Sequence, residues 1–329
     1  MNFLLSSEKA MDMKRKQKNK TVKVGVSRCL LGEAVRWDGG HKREGCVQDV
    51  LGKVFTWVAV CPEVEAGMGV PRAPVSLVGN NNKTAPRLVE NGAGRDWTPR
   101  MEKFIRCQWA AIEKLNLSGF IFKKNSPSCG IRHIPVYKTG GDIIYRRAGL
   151  FAGAFMKRFP GIPVEEEDKL RDAKIRDHFI TRVLVCWRLG RSLCPGGSRR
   201  ALAEFHARNA FLLLAHSRRH HAELNRLVAN ATTKRCKHSG LAVRYRTVFM
   251  EGLAYKSTPK KNAGVFLRLL GTLKIHLTPD EKKQCLKIIE EYRNGRTPWN
   301  VPADRLHCLA RRFQVQSLLD QEYLNNPRL

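Results

Sequence analysis

At 329 residues, 43% of them apolar, the chain is long enough for two domains with a core in each. Lys and Arg number 60 against 29 Asp and Glu, a formal charge of +31 that repels itself unless a polyanion screens it, so nucleic acid is the first partner to consider. A secreted disulfide scaffold and a membrane protein are both disfavoured: the opening apolar stretch is only three residues long, no run reaches the length of a membrane span, and the ten cysteines are expected to be reduced thiols of a cytoplasmic protein.

Residues 1–20 are lysine-rich and aperiodic and read as a disordered basic tail. From residue 21, short β-rich runs alternate with helical periods. "TVKVGV" places valines at 22, 24 and 26, "VFTWVAV" spans 54–60, and "GFIF" ends at Phe122. Between the last two, "RMEKFIRCQWAAIEKLNL" carries Phe104, Ile105, Trp109, Ile112 and Leu115 at helical spacing. Strand, helix, strand predicts an α/β, Rossmann-like domain with a largely parallel sheet over 21–163. Residues 164–188 start acidic and continue with a helical period, which predicts a bridging helix, and the Gly- and Pro-containing "LGRSLCPGGSR" at 189–199 reads as a linker. Residues 200–329 read as mainly α-helical. The clearest helix there is "TPDEKKQCLKIIEEYRNG", with Thr278 as cap, Pro279 and Asp280 in the first turn, and Gly295 as the stop.

This layout sorts the cysteines. Cys29 follows the first strand, Cys61 the second, and Cys129 lies seven residues beyond the third. Ligands of open α/β sheets bind at the carboxyl ends of strands, so these three are candidates for one site. Cys46 in "KREGCVQD" stays open as a fourth, whereas Cys107 and Cys186 lie inside apolar periods and are expected to be buried. On spacing alone, three readings stand: a soft-metal or iron–sulfur site, three small hydrophobes at strand ends, or Cys129 as a lone nucleophile with His41 or His133 as base.

"SRCLLGEAVRWDGGHK", "CPEVEAGMGVPRAP" and "KKNSPSCG" resemble the three signature loops of the thiouracil desulfidase (TudS-like) domain. "RALAEFHARNAFLLLAHSRRHHAELNRLVAN" resembles the start of the YbgA-like helical domain, and the two in this order resemble tRNA 4-thiouridine desulfidases of the RudS type. The resemblance implies a [4Fe-4S] cluster held by Cys29, Cys61 and Cys129, with one iron left without a protein ligand. It implies Glu63 as acid/base carboxylate and Ser126 as catalytic serine, with Ser128 matching the loop almost as well. The implied reaction is a non-redox hydrolysis: water adds at C4 of the thiolated pyrimidine and sulfide leaves. Asp38, Lys42, Arg72 and Lys124 become candidates for holding the nucleotide. Read by themselves, Glu63 fits a first-turn acid after Pro62, Asp38-Gly39-Gly40 a turn, and the three cations solvated surface charge.

Residues 199–261 hold 14 Lys and Arg against 3 acids, including Arg218, Arg219, Lys234, Arg235, Lys237, Arg244, Arg246, Lys260 and Lys261. This is the expected grip on RNA phosphate, so tRNA is the expected partner. Tyr245 and Phe249 are candidates for base stacking or for the core; His206, His216, His220, His221 and His238 invite a zinc proposal, but the resemblance implies no ligand set there and scattered histidines on a helix face are the commoner case. The expected function is an iron–sulfur-dependent desulfidase of tRNA 4-thiouridine. Its rivals are a desulfidase of free thiouracil or 4-thio-UMP, and a non-catalytic nucleic-acid-binding protein with structural cysteines.

Overall fold

The computed structural model describes residues 21–80, 84–139, 141–193, 198–233 and 238–325, with side chains 232–239 excepted. The basic tail, linker residues 194–197, and Lys234, Arg235 and Lys237 lie outside the described residues. Contacts divide the chain after Trp187 into an N-terminal and a C-terminal unit.

In the N-terminal unit, the three apolar runs become β1 (Lys23–Ser27), β2 (Thr56–Val60) and β5 (Gly119–Phe122). They form a parallel sheet of order β2-β1-β5-β8, with β8 at Val164–Glu166. The "GFIF" strand is buried on both faces. Phe120 and Phe122 stack at 4.0 Å and pack under α2 (Thr98–Leu115) and α3 (Leu150–Arg158), while Ile121 joins Val24, Val26 and Leu30 on the opposite face. Such two-sided burial is why these strands read as continuous apolar runs rather than alternating ones.

A second sheet, ordered β4-β3-β6-β7, comprises β3 (Val75–Val78), β4 (Arg87–Glu90), β6 (Ile134–Tyr137) and β7 (Ile143–Arg147). Its outer pairs are antiparallel and its central pair is parallel. The expectation of a largely parallel sheet therefore holds for the first sheet only.

Two further expectations are corrected. Residues 164–166 are a strand, and the helix expected from 164 is α4 (Ala173–Ser192), so it runs into the segment read as a linker. Val164 to Glu166 hydrogen-bonds along β5, and this tertiary pairing outweighs the helix-start signal of the acids. Cys107, expected inside, is exposed, whereas Cys186 is buried.

The C-terminal unit contains α5 (Arg199–His216), α6 (Arg218–Thr233), α7 (His238–Ala254), α8 (Pro259–Leu273), α9 (Pro279–Arg293), α10 (Asn300–Arg312) and two short helices, α11 (Gln316–Leu319) and α12 (Glu322–Asn325). At the start of α9, the Thr278 hydroxyl accepts from Glu281 N, and the Glu281 carboxylate accepts from Thr278 N, a reciprocal cap. Gly295 takes a φ of 75°, the left-handed conformation that glycine adopts without steric penalty. Tyr245 and Phe249 are fully buried against Phe205 and so belong to the core. No helix among the described residues is long and apolar enough to cross a membrane.

The central strand shows how tightly the first sheet is packed. A Cβ on Gly25 would lie 2.2 Å from the Phe120 ring, which is itself held in the aromatic stack. Gly25→Ala is expected to cost about 1–3 kcal/mol through overpacking. Denaturant unfolding read by the N-terminal unit's tryptophans should show a lower midpoint, and an unchanged midpoint would refute the packing account.

Candidate active site

β1 and β2 run side by side, and β5 lies on the other side of β1, so the chain switches direction across the sheet at β1. Ligands of α/β sheets bind at such a switch, beyond the carboxyl ends of the strands. A cavity of about 340 Å³ lies there, and Cys29, Cys61 and Cys129 all line it. This volume is at the lower end of the range for small-molecule sites.

Each cysteine is fixed by its own loop. Cys29 sits in the tight turn Arg28–Leu31, where its carbonyl accepts from Gly32 N and Lys42 N. Cys61 caps the short helix α1 (Pro62–Glu65), and its N–H donates to Glu65 Oε1 at 3.1 Å. Cys129 N–H donates to Ser126 Oγ at 3.1 Å within the "NSPSCG" turn. Burial, reinforced by the neighbouring Cys61, pushes the Cys29 thiol up to about 11. Burial also raises Cys61, and burial together with Glu63 and Cys61 raises Cys129 well above the ordinary thiol value. Cys46 is not part of this group: it does not line the cavity, and its thiol donates to Leu170 O at 3.1 Å.

Glu63 and Ser126 face each other in the same cavity. The Ser126 hydroxyl accepts from the N–H groups of Ser128 and Cys129, so its proton is left to donate to Glu63 Oε1, at 3.3 Å. Ser128 is fully buried and does not line the cavity. The other Glu63 oxygen accepts two hydrogen bonds from Arg72, at 2.6 and 3.2 Å. Arg72 also donates to Val35 O and Gly69 O, so its guanidinium is occupied in holding Glu63 and the surrounding loops.

The remaining candidates separate. Lys42 lines the cavity, and no hydrogen bond or ion pair of its ammonium is present among the described residues. Lys124 also lines it, with its ammonium 3.0 Å from Asp168. Asp38 does not line it; its carboxylate accepts from Gly40 N and pairs with Arg36, which stabilises the 36–40 turn.

Sequence reasoning missed the supports of the third loop. Ser27, at the end of β1, accepts from Lys123 N, joining the start of the first cysteine loop to the start of the third. Glu166 accepts from Ile131 N, and Glu167 accepts from Lys124 N and pairs with the Lys123 ammonium. The signal was present as the acidic run "VEEED", whose carboxylates match the lysines of "KKNSPSCG".

The donor set also discriminates between metals. Among the described residues, no three His, Cys, Asp or Glu side chains are grouped to hold a single ion. Three thiols from separate loops lining one cavity suit a multi-iron cluster, whose irons are bound at different corners, better than one tetrahedral zinc. Three histidines of the C-terminal unit are engaged elsewhere: His206 with Tyr245 and Asn225, His216 with Tyr255 O, and His220 with Ser217.

In that unit, a groove of about 520 Å³ lies between α6 and α7. Arg219, Glu223, Arg226 and Asn230 line it from α6, and Arg244, 3.8 Å from Glu223, lines it from α7.

Residues 24–167 match the family described as 2-thiouracil desulfurase. YbbK of Bacillus subtilis (strain 168), an uncharacterized protein, is 31% identical over 150 residues, which cover 45% of this chain and 97% of YbbK. The chain belongs to the 2-thiouracil desulfurase family. Residues 211–327 match a second family, DUF1722, of unknown function. There YbgA of Escherichia coli (strain K12), also uncharacterized, is 26% identical over 135 residues, 41% of this chain and 79% of YbgA. A solved structure of TudS, a [4Fe-4S]-dependent thiouracil desulfidase, is 31% identical and covers 46% of this chain and 93% of its own, with a TM-score of 0.36.

The turn carrying Cys129 is backed by Gly149, where a Cβ would come within 2.7 Å of the Pro127 and Ser128 backbone. Gly149→Ala must therefore shift that turn. In metal-free protein, alkylation of Cys129 is expected to speed up several-fold, with the exposed Cys107 and Cys308 as internal standards. Peptide mass spectrometry after timed iodoacetamide treatment measures this, and unchanged Cys129 labelling would contradict the assigned support.

Proposed function

We propose that the N-terminal unit is a [4Fe-4S]-dependent desulfidase that hydrolyses 4-thiouridine in tRNA to uridine and sulfide, and that the C-terminal unit grips the RNA. The observation that carries this reading is the meeting of three thiols, two buried and one half-buried, with the Glu63–Ser126 pair in one cavity at the sheet's switch point. Membership of the 2-thiouracil desulfurase family supports the same chemistry.

Cys29, Cys61 and Cys129 would hold the cluster, which with only three protein ligands supplies a Lewis-acidic iron for a thiocarbonyl sulfur. The chain's own groups manage water and protons. Glu63, held by Arg72, takes a proton from the water that adds at C4, and returns it as the C–S bond breaks. The Ser126 hydroxyl, anchored by two backbone N–H groups, keeps that carboxylate oriented and lies where the water must pass. The oxygen of water replaces sulfur, H₂S leaves and no electron is transferred, so the step is a hydrolysis.

The choice of tRNA over a free base rests on charge. A catalytic unit needs no basic helical partner to bind thiouracil, whereas Arg219, Arg226 and Arg244 in one groove suit backbone phosphates. A cytoplasmic site of action follows from this substrate.

Anaerobically reconstituted protein should remove 4-thiouridine from bulk tRNA, measured by nucleoside mass spectrometry. Replacing Arg219, Arg226 and Arg244 together by Gln should weaken turnover of tRNA about tenfold or more and flatten its salt dependence, with turnover of 4-thio-UMP preserved. Turnover of 4-thio-UMP but not of tRNA would make the free nucleotide the substrate. RNA binding with no turnover of either would make the protein a binder.

A further inference from the structure

Trp37 is the only aromatic side chain among the residues lining the catalytic cavity, and it remains 45% exposed. Of the other large apolar side chains exposed among the described residues, none lines that cavity. An indole left half in water on the wall of an active site gains apolar contact when a flat ligand covers it.

The loop that presents Trp37 is firmly built. Arg36 N–H donates to Gly40 O and Gly39 N–H to Arg36 O, while Asp38 pairs with Arg36 and accepts from Gly40 N. Gly39 has a φ of 75°, which lets the chain turn there. The Trp37 carbonyl accepts from Arg72 N at 2.9 Å, and the Arg72 guanidinium holds Glu63. The indole and the acid/base carboxylate are thus positioned through one residue. Lys42, five residues on, supplies an ammonium on the same cavity wall.

From this arrangement we infer that Trp37 stacks on the pyrimidine ring of the substrate, presenting C4 to Glu63, while Lys42 takes the 5′-phosphate of the same nucleotide. The ligand class is a uracil nucleoside monophosphate unit, free or within RNA; its thiolated form as the reacting species rests on the desulfidase reading. Stacking needs a π-face and no hydrogen-bond pattern, so Trp37 governs affinity for the base and leaves sulfur-versus-oxygen discrimination to the catalytic groups.

The test titrates anaerobically purified, cluster-loaded protein with UMP by isothermal titration calorimetry, and with ribose 5-phosphate in competition. Trp37→Ala should raise the UMP dissociation constant about tenfold, and Trp37→Phe, which keeps a ring, only two- to threefold, roughly the range of base–aromatic stacking. Affinity for ribose 5-phosphate, which has no base, should be unchanged by either substitution. With 4-thio-UMP, KM should follow the UMP affinities. The inference is overturned if wild type and Trp37→Ala bind UMP equally, if wild type does not bind UMP, or if ribose 5-phosphate affinity falls to the same extent. Desulfuration is scored separately. Trp37-dependent UMP binding without desulfuration would remove the enzyme reading and leave the stacking site, whereas desulfuration with Trp37-independent binding would remove the stacking site alone.

Discussion

Three thiols and a carboxylate gathered in one poorly solvated cavity repel one another whenever they ionise. Burial pushes all three thiols upward, and Cys61, Glu63 and Cys29 add to the effect on Cys129. A fold gains nothing from such an arrangement unless something positive occupies it, because apolar residues of similar size would pack there without the electrostatic penalty. The loops, the sheet order and the acidic edge strand are best understood as the means of holding this unfavourable group together until a cationic centre makes it favourable.

The supporting interactions are shared between loops. Ser27 ties β1 to Lys123 at the start of the third loop, and Glu65 accepts from Cys61 N while pairing with Arg28 beside Cys29. Arg28 therefore bridges the first two cysteine loops. From the far edge of the sheet, Glu166, Glu167 and Asp168 engage Ile131, Lys123 and Lys124 around the third loop. The two lysines of "KKNSPSCG" are paired with Glu167 and Asp168, immediately beyond the strand that flanks β5. Because Ser126 shares this turn with Cys129, whatever fixes one side chain also fixes the other.

Much of this was legible in the sequence. Strands β1, β2 and β5 are apolar runs, and placing a cysteine beyond each of them needs only the rule that parallel sheets bind at their carboxyl ends. The second sheet was not legible, because β3, β4 and β6 are four residues long and partly exposed, too short for alternation to stand out. β8 was misread because its glutamates satisfy loop amides and lysines rather than a helix start, a purpose visible only once the partners are in place. Arg72 carried the right place and a different task, since its hold on Glu63 depends on a loop closing back over nine residues. Trp37 had no sequence signal at all: its interest lies in being exposed on a cavity wall, which is a property of the fold.

The central claim is that this cavity exists to hold an iron–sulfur cluster on three cysteines. Iron and acid-labile sulfide, quantified on the same anaerobically reconstituted sample, test it most directly. About four of each per chain are predicted for the native sequence, with marked loss when Cys29, Cys61 or Cys129 is replaced by Ala and none when Cys46 is. Native protein without iron, or full iron retention in all three alanine variants, would contradict the account.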